Sequence, residues 1–471
     1  MIKSLWIIYS VLIVFIGISY TSLSQPRNQQ RLDRSSYFEY NETFFCEAHA
    51  LPSLSKDSTI ISILFRIMYD PLEFHQLPTS AMMQRGVYLA TPFVMVELRD
   101  DIGIIRFRNQ WKDSIFTKTF EQTNSKTDFI YGTIKVTLPI GAYSLSAVLS
   151  DRENSQLRRV QFPSIKSPTP DSGGISKPIF VEYVDTTSRV VIPMFASGNA
   201  LFSQNNIHAL ITVAGVKDGD VYSYSYAPVV NSNSDVSSEW GNLPSVSGNT
   251  TPIRNTILVP TERNQKEFPG KQTYSLSTIP KESSLGSFGL LDITLPASTI
   301  APGKYKIRVV KVGTKDTSVQ PFDVIWENMP LSFRSMRYMI EALYYILNDD
   351  DFDAINSGSD SEKRRKVIEY WQKNYPSSES IYNHTMAEYY RRVDYAYFNF
   401  QVIGEQDGAK SERGKIYILY GAPTTIEKNT PSSGQTQEIW HYANKVKKDF
   451  VFELNTSSIY KLKDIVDLTA K

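Results

Sequence analysis

One stretch near the C-terminus constrains the fold more than any other part of this sequence. A polar turn, Ser411–Gly414, leads into the apolar run Ile416–Tyr420, which ends at the turn Gly421–Pro423. A second run rich in strand-forming residues, Glu438–Tyr442, follows. Because β-branched and aromatic residues favour strands, while glycine and proline interrupt them, we predict that both runs are strands of one small sheet.

Three helices are predicted ahead of this sheet. Apolar residues recur at helical spacing within 336–347, within 360–375 and, most regularly, within 382–400. That spacing puts the apolar side chains on one face of each helix. With Asp449–Glu453 as a further strand, we predict that residues 331–471 form an α+β domain, a helical module followed by a small antiparallel sheet.

The region before residue 331 repeats one pattern. Leu138-Pro139 precedes Gly141-x-Tyr143 and a strand, and Leu295-Pro296 precedes Gly303-x-Tyr305 and another strand. A glycine turn followed by a packed tyrosine is typical of a hairpin near the end of an immunoglobulin-like sandwich. We therefore predict a multidomain, mainly β chain. Two tandem immunoglobulin-like or fibronectin-like β-sandwiches, residues 38–165 and 176–330, precede the α+β domain.

Two segments lack the pattern of a strand or a helix. Lys166–Gly174 contains two prolines and two glycines in nine residues and has no apolar side chain to bury. We interpret residues 166–175 as the linker between the sandwiches. The segment Asn231–Pro252 is rich in serine, asparagine and glycine, and its length predicts a surface insertion.

The N-terminus predicts the compartment. A short positive start is followed by an apolar run to Tyr20 and by the small-x-small site Ser22–Ser24. This is the pattern of a secretory signal peptide, residues 1–24, with the mature chain beginning at Gln25. An uncleaved N-terminal membrane anchor is the alternative, although the run is shorter than the ~20 residues that a spanning helix needs. We expect an exported protein of the periplasm or cell envelope, with no transmembrane span in the mature chain.

Composition excludes some partners and some means of stabilisation. Lys and Arg number 50 against 49 Asp and Glu, so the chain has no global positive field, and we expect no nucleic-acid partner. The single cysteine, Cys46, cannot form a disulfide within the chain. The fold must therefore be held together by hydrophobic cores.

The sequence offers little metal-binding or catalytic chemistry. Asp349, Asp351, Asp353 and Asp360 match part of a calcium loop, but Ala354 stands where the sharp turn needs glycine. None of the five histidines lies in a zinc-protease motif. We therefore predict no metal site and no cofactor.

The C-terminal motifs resemble a known family. Tyr389–Val393 on the third predicted helix, followed by Arg413–Pro423, is similar in order and spacing to the GWxTD domain of envelope proteins from Bacteroidetes-like bacteria. The motif of that family, Gly-Trp-x-Thr-Asp, corresponds here to Gly408–Glu412, in which Ala409 replaces the tryptophan. The family has no established activity, so the resemblance implies an architecture and no reaction.

Two functional hypotheses remain for this motif. In the first, the chain is a non-enzymatic envelope protein that binds or scaffolds an envelope protein or a glycan through its C-terminal domain. In the alternative, it is a hydrolase or carbohydrate-processing enzyme with a site around Ser411–Arg413. The candidate ligand- or partner-binding residues are the same in both hypotheses: Ser411, Glu412, Arg413, Gly414, Gly421, Pro423 and Trp440. A purely structural role for the turn is a third interpretation, and we also expect Trp440 to lie in the core.

Overall fold

The structure is a computed structural model of the 471-residue chain. It describes residues 43–468 except 79–85, 152–154, 167–173, 230–239, 262–272, 281–286, 378, 404, 431–433 and 445. The predicted signal peptide, residues 1–24, and most of the predicted linker, residues 166–175, lie outside the described residues.

The first sandwich-like unit packs two antiparallel sheets around one core. Its elements are β1 (Phe44–Pro52), β2 (Ser58–Met68), β3 (His75–Gln76), β4 (Tyr88–Ala90), β5 (Pro92–Asp100), β6 (Ile105–Lys112), β7 (Ile115–Thr117), α1 (Phe120–Thr123), β8 (Phe129–Pro139), β9 (Ala142–Asp151) and β10 (Ser155–Lys166). One sheet has the strand order β1-β2-β8 and the other β10-β9-β5-β6. Alternate side chains of both sheets, such as Phe65 and Val96, fill the core between them.

The second unit is also built from two sheets. Its strands are β11 (Ile179–Asp185), β12 (Val190–Pro193), β13 (Ala200–Leu201), β14 (Ile207–Ala214), β15 (Tyr222–Pro228), β16 (Val246–Thr250), β17 (Ile253–Arg254), β18 (Thr256–Pro260), β19 (Tyr274–Thr278), β20 (Phe288–Leu295), β21 (Gly303–Lys311) and β22 (Thr317–Ile325). Seven strands form one sheet, β17-β20-β14-β11-β12-β19-β18, and five form the other, β13-β22-β21-β15-β16.

The repeated tyrosine motif has the same geometry in both units. The Tyr143 hydroxyl donates to the carbonyl oxygen of Pro139 at 2.7 Å, and the Tyr305 hydroxyl donates to that of Ala301 at 3.1 Å. Each bond spans four residues and fixes the start of a core strand, in the manner of a tyrosine corner. The repeat seen in the sequence is therefore a repeat of structure.

The two sandwich-like units share a hydrophobic interface. Leu51 and Leu64 of the first unit pack with Val181, Leu210 and other residues of the seven-stranded sheet. Beside this interface, the buried Arg66 of β2 forms an ion pair with Glu327, which follows β22. The two units therefore contact each other directly through packed side chains, in addition to being connected by the chain.

The C-terminal region begins with helices. In chain order these are α2 (Leu331–Arg334), α3 (Met336–Glu341), a 3-10 turn (Ala342–Tyr345), α4 (Asp349–Ile355), α5 (Asp360–Asn374), α6 (His384–Asn399), a second 3-10 turn (Gly408–Lys410) and α7 (Glu412–Tyr420). The predicted helices at 360–375 and 382–400 are confirmed as α5 and α6. Their starts are capped by Ser359 and Asn383, whose side chains accept backbone N–H bonds.

The first predicted helix is only partly right. Ser335 ends α2 and caps α3, and α3 passes into a 3-10 turn, so residues 336–347 do not form one regular α-helix. A second prediction is wrong. The run Ile416–Tyr420 belongs to α7 and not to a strand, because Ser411 caps a helix start and Gly421, at φ 81°, ends it.

A four-stranded antiparallel sheet completes the C-terminal region. Its strands are β23 (Thr425–Asn429), β24 (Gln437–Tyr442), β25 (Lys448–Leu454) and β26 (Tyr460–Asp467), in the spatial order β23-β24-β25-β26. The two predicted strands around Trp440 and Phe450 are confirmed as β24 and β25. The outer strands β23 and β26 are largely polar and were not predicted.

One continuous core joins the second sandwich to the helices. Phe202, Trp326 and Tyr382 pack edge to face, with ring centroids 5.3 to 5.8 Å apart. Trp240 also lies in this core, and β16 occupies residues 246–250. The described part of Asn231–Pro252 lies at the surface but contains an edge strand of the five-stranded sheet, where the sequence indicated no strand.

A buried carboxylate fixes the start of the helical region. Asp394 of α6 accepts backbone N–H bonds from Leu331 at 2.7 Å and from Ser332 at 2.8 Å, at the N-terminus of α2. Burial raises the pKa of Asp394 to about 6, against the lowering effect of these hydrogen bonds.

No helix within the described residues has the length and apolar character needed to cross a membrane.

Candidate functional site

The predicted polar turn is the N-terminus of α7. Ser411 is 3% exposed, and its hydroxyl accepts a hydrogen bond from the Gly414 nitrogen at 2.9 Å. The same hydroxyl donates to the Gly408 carbonyl oxygen at 2.7 Å. This is the arrangement of a helix cap, which satisfies one of the free N–H groups of the first turn. Ser411 is used within the chain both as donor and as acceptor.

Two glycines allow the turn to lie against α6. A Cβ atom on Gly408 would stand 2.3 Å from the carbonyl oxygen of Ala396, and one on Gly414 would stand 2.0 Å from that of Gly408. Both distances are far shorter than a van der Waals contact, and the atoms met belong to the backbone. Glycine is therefore required at both positions by close packing of the chain.

Arg413 lies beneath the sheet and is 9% exposed. Its guanidinium group pairs with the carboxylate of Glu438 at 3.5 Å and lies over the ring of Tyr460 at 3.9 Å. The ring of Phe400 covers it from another side at 5.4 Å. The charge is thus held by one carboxylate and by aromatic faces.

Glu438 connects this arginine to the predicted core tryptophan. Its carboxylate is 3% exposed and accepts a hydrogen bond from the Trp440 indole nitrogen at 2.7 Å. Trp440 is fully buried and packs against Phe400 and Phe452, with centroids 5.2 and 5.1 Å away. The prediction that Trp440 lies in the core is confirmed. We call Ser411, Arg413, Glu438 and Trp440 the buried node.

Glu412 joins the same helix to the last strand. One oxygen of its carboxylate accepts a hydrogen bond from the Leu462 nitrogen, and the other pairs with Lys461 at 3.1 Å. The side chain is 38% exposed, which makes it the most accessible charged group among the predicted site residues. Both bonds tie the N-terminus of α7 to β26.

Gly421 and Pro423 mark the far end of α7. The carbonyl oxygen of Gly421 accepts a hydrogen bond from the Tyr442 hydroxyl at 2.7 Å. The chain then turns through the partly exposed Pro423 into β23, of which all five residues are exposed. Gly421 thus anchors the turn, while the strand that follows it is accessible.

A set of carboxylates close to the turn was not predicted from the sequence. Asp407 accepts a hydrogen bond from the Tyr338 hydroxyl and lies 3.8 Å from Lys410, whose amine also pairs with Glu341 at 2.8 Å. Burial, together with Asp407, raises the pKa of Tyr338, and burial raises that of Glu405. Tyr338 and Glu341 lie far from Asp407 in the sequence. Only the three-residue spacing of Asp407 and Lys410 could have indicated that these side chains lie close together.

The structure brings Arg413 and Trp440 together through Glu438, and Ser411, Glu412 and Gly414 lie in the same first turn of α7 as Arg413. Gly421 and Pro423 lie at the other end of that helix. Each polar side chain of the node has a partner within the chain, although the Nε atom of Arg413 is buried without a hydrogen-bond partner. Within the described residues, no group of histidine, cysteine or acidic side chains is arranged to hold a metal ion. The arrangement is that of a packed junction between helix and sheet.

Residues 305–464 match the family model of the GWxTD domain. The chain contains a GWxTD domain. The match begins within β21, so the GWxTD domain takes in the last two strands of the second sandwich as well as the helices and the C-terminal sheet. A comparison with curated proteins finds no match to the chain.

The tryptophan that names the GWxTD domain has no counterpart here. Ala409 stands in its place, is 4% exposed, and lies in the core shared with α6. Its carbonyl oxygen accepts a hydrogen bond from the Tyr345 hydroxyl at 2.8 Å. A tyrosine from another element therefore supplies an aromatic ring close to the position that the motif gives to tryptophan.

A second polar network lies between the two sandwiches. His49 contacts the Glu47 carboxylate at 3.2 Å and the Tyr274 hydroxyl at 2.8 Å, and that hydroxyl is 3.2 Å from Ser62. Glu47 and His49 line a cavity of about 750 Å³. Because these groups are bonded to one another across the interface, the network holds the two units together.

Proposed function

We propose that the chain is a non-enzymatic cell-envelope protein that binds or scaffolds an envelope partner through its GWxTD domain. The observation that carries this proposal is the closure of the buried node. Ser411 carries the only hydroxyl of the predicted turn, and that hydroxyl both donates and accepts a hydrogen bond within the chain. Arg413 is covered by aromatic rings. A reacting group must face a substrate, so this geometry favours binding at the surface over chemistry at the turn.

The accessible strand next to the predicted site is β23, which follows Gly421 and Pro423. Strand β23 stands at one edge of its sheet and pairs only with β24 among the described strands. Ile426, in its middle, is 51% exposed. An exposed edge strand can accept an extended segment of another protein by adding a strand. We therefore place the contact with a protein partner at β23.

The compartment in this proposal depends on the sequence. The apolar run that ends at Tyr20 and the site Ser22–Ser24 support export, with Gln25 as the first residue of the mature protein. N-terminal sequencing of protein from an envelope fraction tests this. Intact Met1 in the membrane fraction would indicate an anchor in place of a cleaved signal.

Photo-crosslinking in cells tests the contact at β23. A benzophenone amino acid at position 426 should give a discrete crosslinked product. The matched control is position 319, where Val319 is 52% exposed on β22 of the second sandwich. Crosslinking at neither position, or equally at both, would contradict a partner at β23.

A further inference from the structure

The hairpin between β5 and β6 carries an unusual apolar tip. Ile102 is 73% exposed, Ile104 is 49% exposed and Ile105 is 39% exposed. We call these three residues the isoleucine tip. Single exposed apolar residues are common on protein surfaces, but three on one projecting turn form a concentrated apolar surface.

The backbone of this turn is hydrogen-bonded within the hairpin. One carboxylate oxygen of Asp100 accepts bonds from the nitrogens of Ile102, at 3.2 Å, and Ile104, at 2.8 Å. The Gly103 nitrogen donates to the Asp100 carbonyl oxygen, and the Asp100 nitrogen donates to that of Ile104, both at 3.0 Å. The Gly103 carbonyl oxygen accepts from Arg99 at 3.2 Å. The tip can therefore leave water without losing these backbone bonds.

Arginines surround the base of the tip. Arg99, Arg106 and Arg108 are 47%, 49% and 56% exposed. They pair with Glu97 and Asp100, as in the 2.7 Å contact between Arg106 and Asp100. Because the guanidinium groups remain exposed while paired, each can also contact a further anion, such as a lipid phosphate.

We propose that the isoleucine tip inserts into the interfacial region of a lipid bilayer. Apolar side chains gain free energy on leaving water, and the hydrogen bonds within the turn reduce the number of backbone groups that insertion would leave without a partner. The arginines behind the tip lie where the phosphates of the headgroups would be, and long cationic side chains favour that position.

A bilayer fits this surface better than a protein does. Strand β6, which begins at Ile105, is the edge of its sheet and could pair with an extended segment of a protein. Ile102 and Ile104 lie in the turn before β6, so an added strand would leave these two side chains exposed. The exposed Asp101 belongs to the same turn. A carboxylate is costly to bury in hydrocarbon, so Asp101 limits the tip to the interface and excludes deep insertion.

A fluorescent label at the tip tests the proposal on the full chain. Cys46 is fully buried, and burial raises the pKa of its thiol, so a cysteine introduced on the surface is labelled selectively. The variant Ile102→Cys carries an environment-sensitive nitrobenzoxadiazole label. The matched control is Ile426→Cys on β23. Both are mixed with vesicles of phosphatidylethanolamine and phosphatidylglycerol.

The position of the label, rather than vesicle binding, is the readout, because the N-terminal apolar run could itself hold the chain on a vesicle. At position 102 we expect a shift of emission to shorter wavelength, loss of quenching by iodide and gain of quenching by brominated lipids. At position 426 we expect none of these changes. The same response at both positions, or none at 102, would overturn the proposal.

A second variant separates the tip from its label. In the labelled Ile102→Cys chain, Ile104→Ser removes a neighbouring apolar side chain and keeps the backbone N–H bond to Asp100. We expect quenching by brominated lipids to fall. If it stays the same, the label itself drives the insertion, and the proposal is wrong.

Discussion

The buried node and the isoleucine tip are built from similar local chemistry and have opposite surroundings. In each, an arginine pairs with a carboxylate, and an oxygen of a polar side chain accepts backbone N–H bonds in a turn. The node is covered by Phe400, Tyr460 and the C-terminal sheet, whereas the tip projects from the first sandwich. Local bonding makes either turn rigid, but its surroundings decide whether it stabilises the fold or presents a surface.

Two aspartates, one buried and one exposed, show the same contrast in the direction of their pKa shifts. Asp394 and Asp100 each accept two backbone N–H bonds. For Asp394 burial dominates and raises the pKa to about 6. At Asp100 desolvation also acts to raise the pKa, but hydrogen bonds from Arg106 and Ile104 outweigh it and lower the pKa. Two backbone N–H bonds thus accompany opposite pKa shifts, because Asp394 is buried whereas Asp100 is exposed and is also paired with Arg106.

The largest expected effect comes from the centre of the node. Trp440→Ala should lower the free energy of unfolding by roughly 3–5 kcal/mol, because it leaves a large cavity and removes the hydrogen bond to Glu438. Ile102→Ala at the tip should leave it nearly unchanged. Urea unfolding of both variants measures this. A Trp440→Ala protein as stable as the wild type would refute the core position of Trp440.

A pair of arginine variants compares the ion pairs directly. Arg413→Met leaves the buried Glu438 carboxylate without its guanidinium partner, so we expect a loss of about 3 kcal/mol. Arg106→Met breaks the exposed pair with Asp100 and should shift the urea midpoint far less than Arg413→Met does. Similar midpoints for the two variants would mean that burial does not distinguish the node from the tip.

Asp394 predicts a dependence of stability on pH. Because its pKa is raised in the folded state, folding favours the protonated carboxyl, and stability increases as pH falls through about 6 toward the unfolded value. From about pH 7 to about pH 4.5 this group should add about 2 kcal/mol to the free energy of unfolding, relative to Asp394→Asn.

Urea unfolding of both proteins at the two pH values isolates this contribution, since the other titrating groups are common to both. Asp100→Asn supplies the comparison from the tip. The lowered pKa of Asp100 stabilises the fold only above its unfolded pKa, and this contribution is lost as pH falls. Parallel pH profiles for the wild type and Asp394→Asn would show that Asp394 does not have a raised pKa.

The smallest effect is expected at Glu412. Glu412→Gln keeps an acceptor for the Leu462 nitrogen and loses a partly exposed ion pair with Lys461, so the cost should be at most about 1 kcal/mol. Crosslinking at position 426 should be retained. If the variant melts like the wild type but no longer crosslinks, Glu412 belongs to the binding surface and does not have only a structural role.

Sequence patterns that extend over many residues predicted the secondary-structure elements well. The helices α5 and α6 follow from apolar spacing, and the paired tyrosines, Tyr143 and Tyr305, indicate the repeated sandwich. Short patterns were ambiguous. Ile416 and Ile418 alternate as in a strand, yet they lie on α7. A short apolar run fits either a strand or a helix, and the caps at Ser411 and Gly421 decide for the helix.

The candidate site was predictable in composition and not in arrangement. The sequence singled out Ser411, Arg413 and Trp440, but Glu438 entered as the first residue of a predicted strand. The polar strands β23 and β26 gave no apolar signal, so the edge at Ile426 was missed. The isoleucine tip could not be identified from the sequence, because exposure is a property of the folded chain.

The sequence by itself determined the order of two sandwiches and a helix-plus-sheet module, the GWxTD motif and the burial of Trp440. These follow from the periodicity of apolar residues and from residues with narrow backbone preferences, which act over a few positions. Tertiary structure alone decided that Arg413 is enclosed, that Asp394 is buried and that Ile102 is exposed. Solvent access depends on which distant segments pack together, and neighbours in sequence do not carry that information.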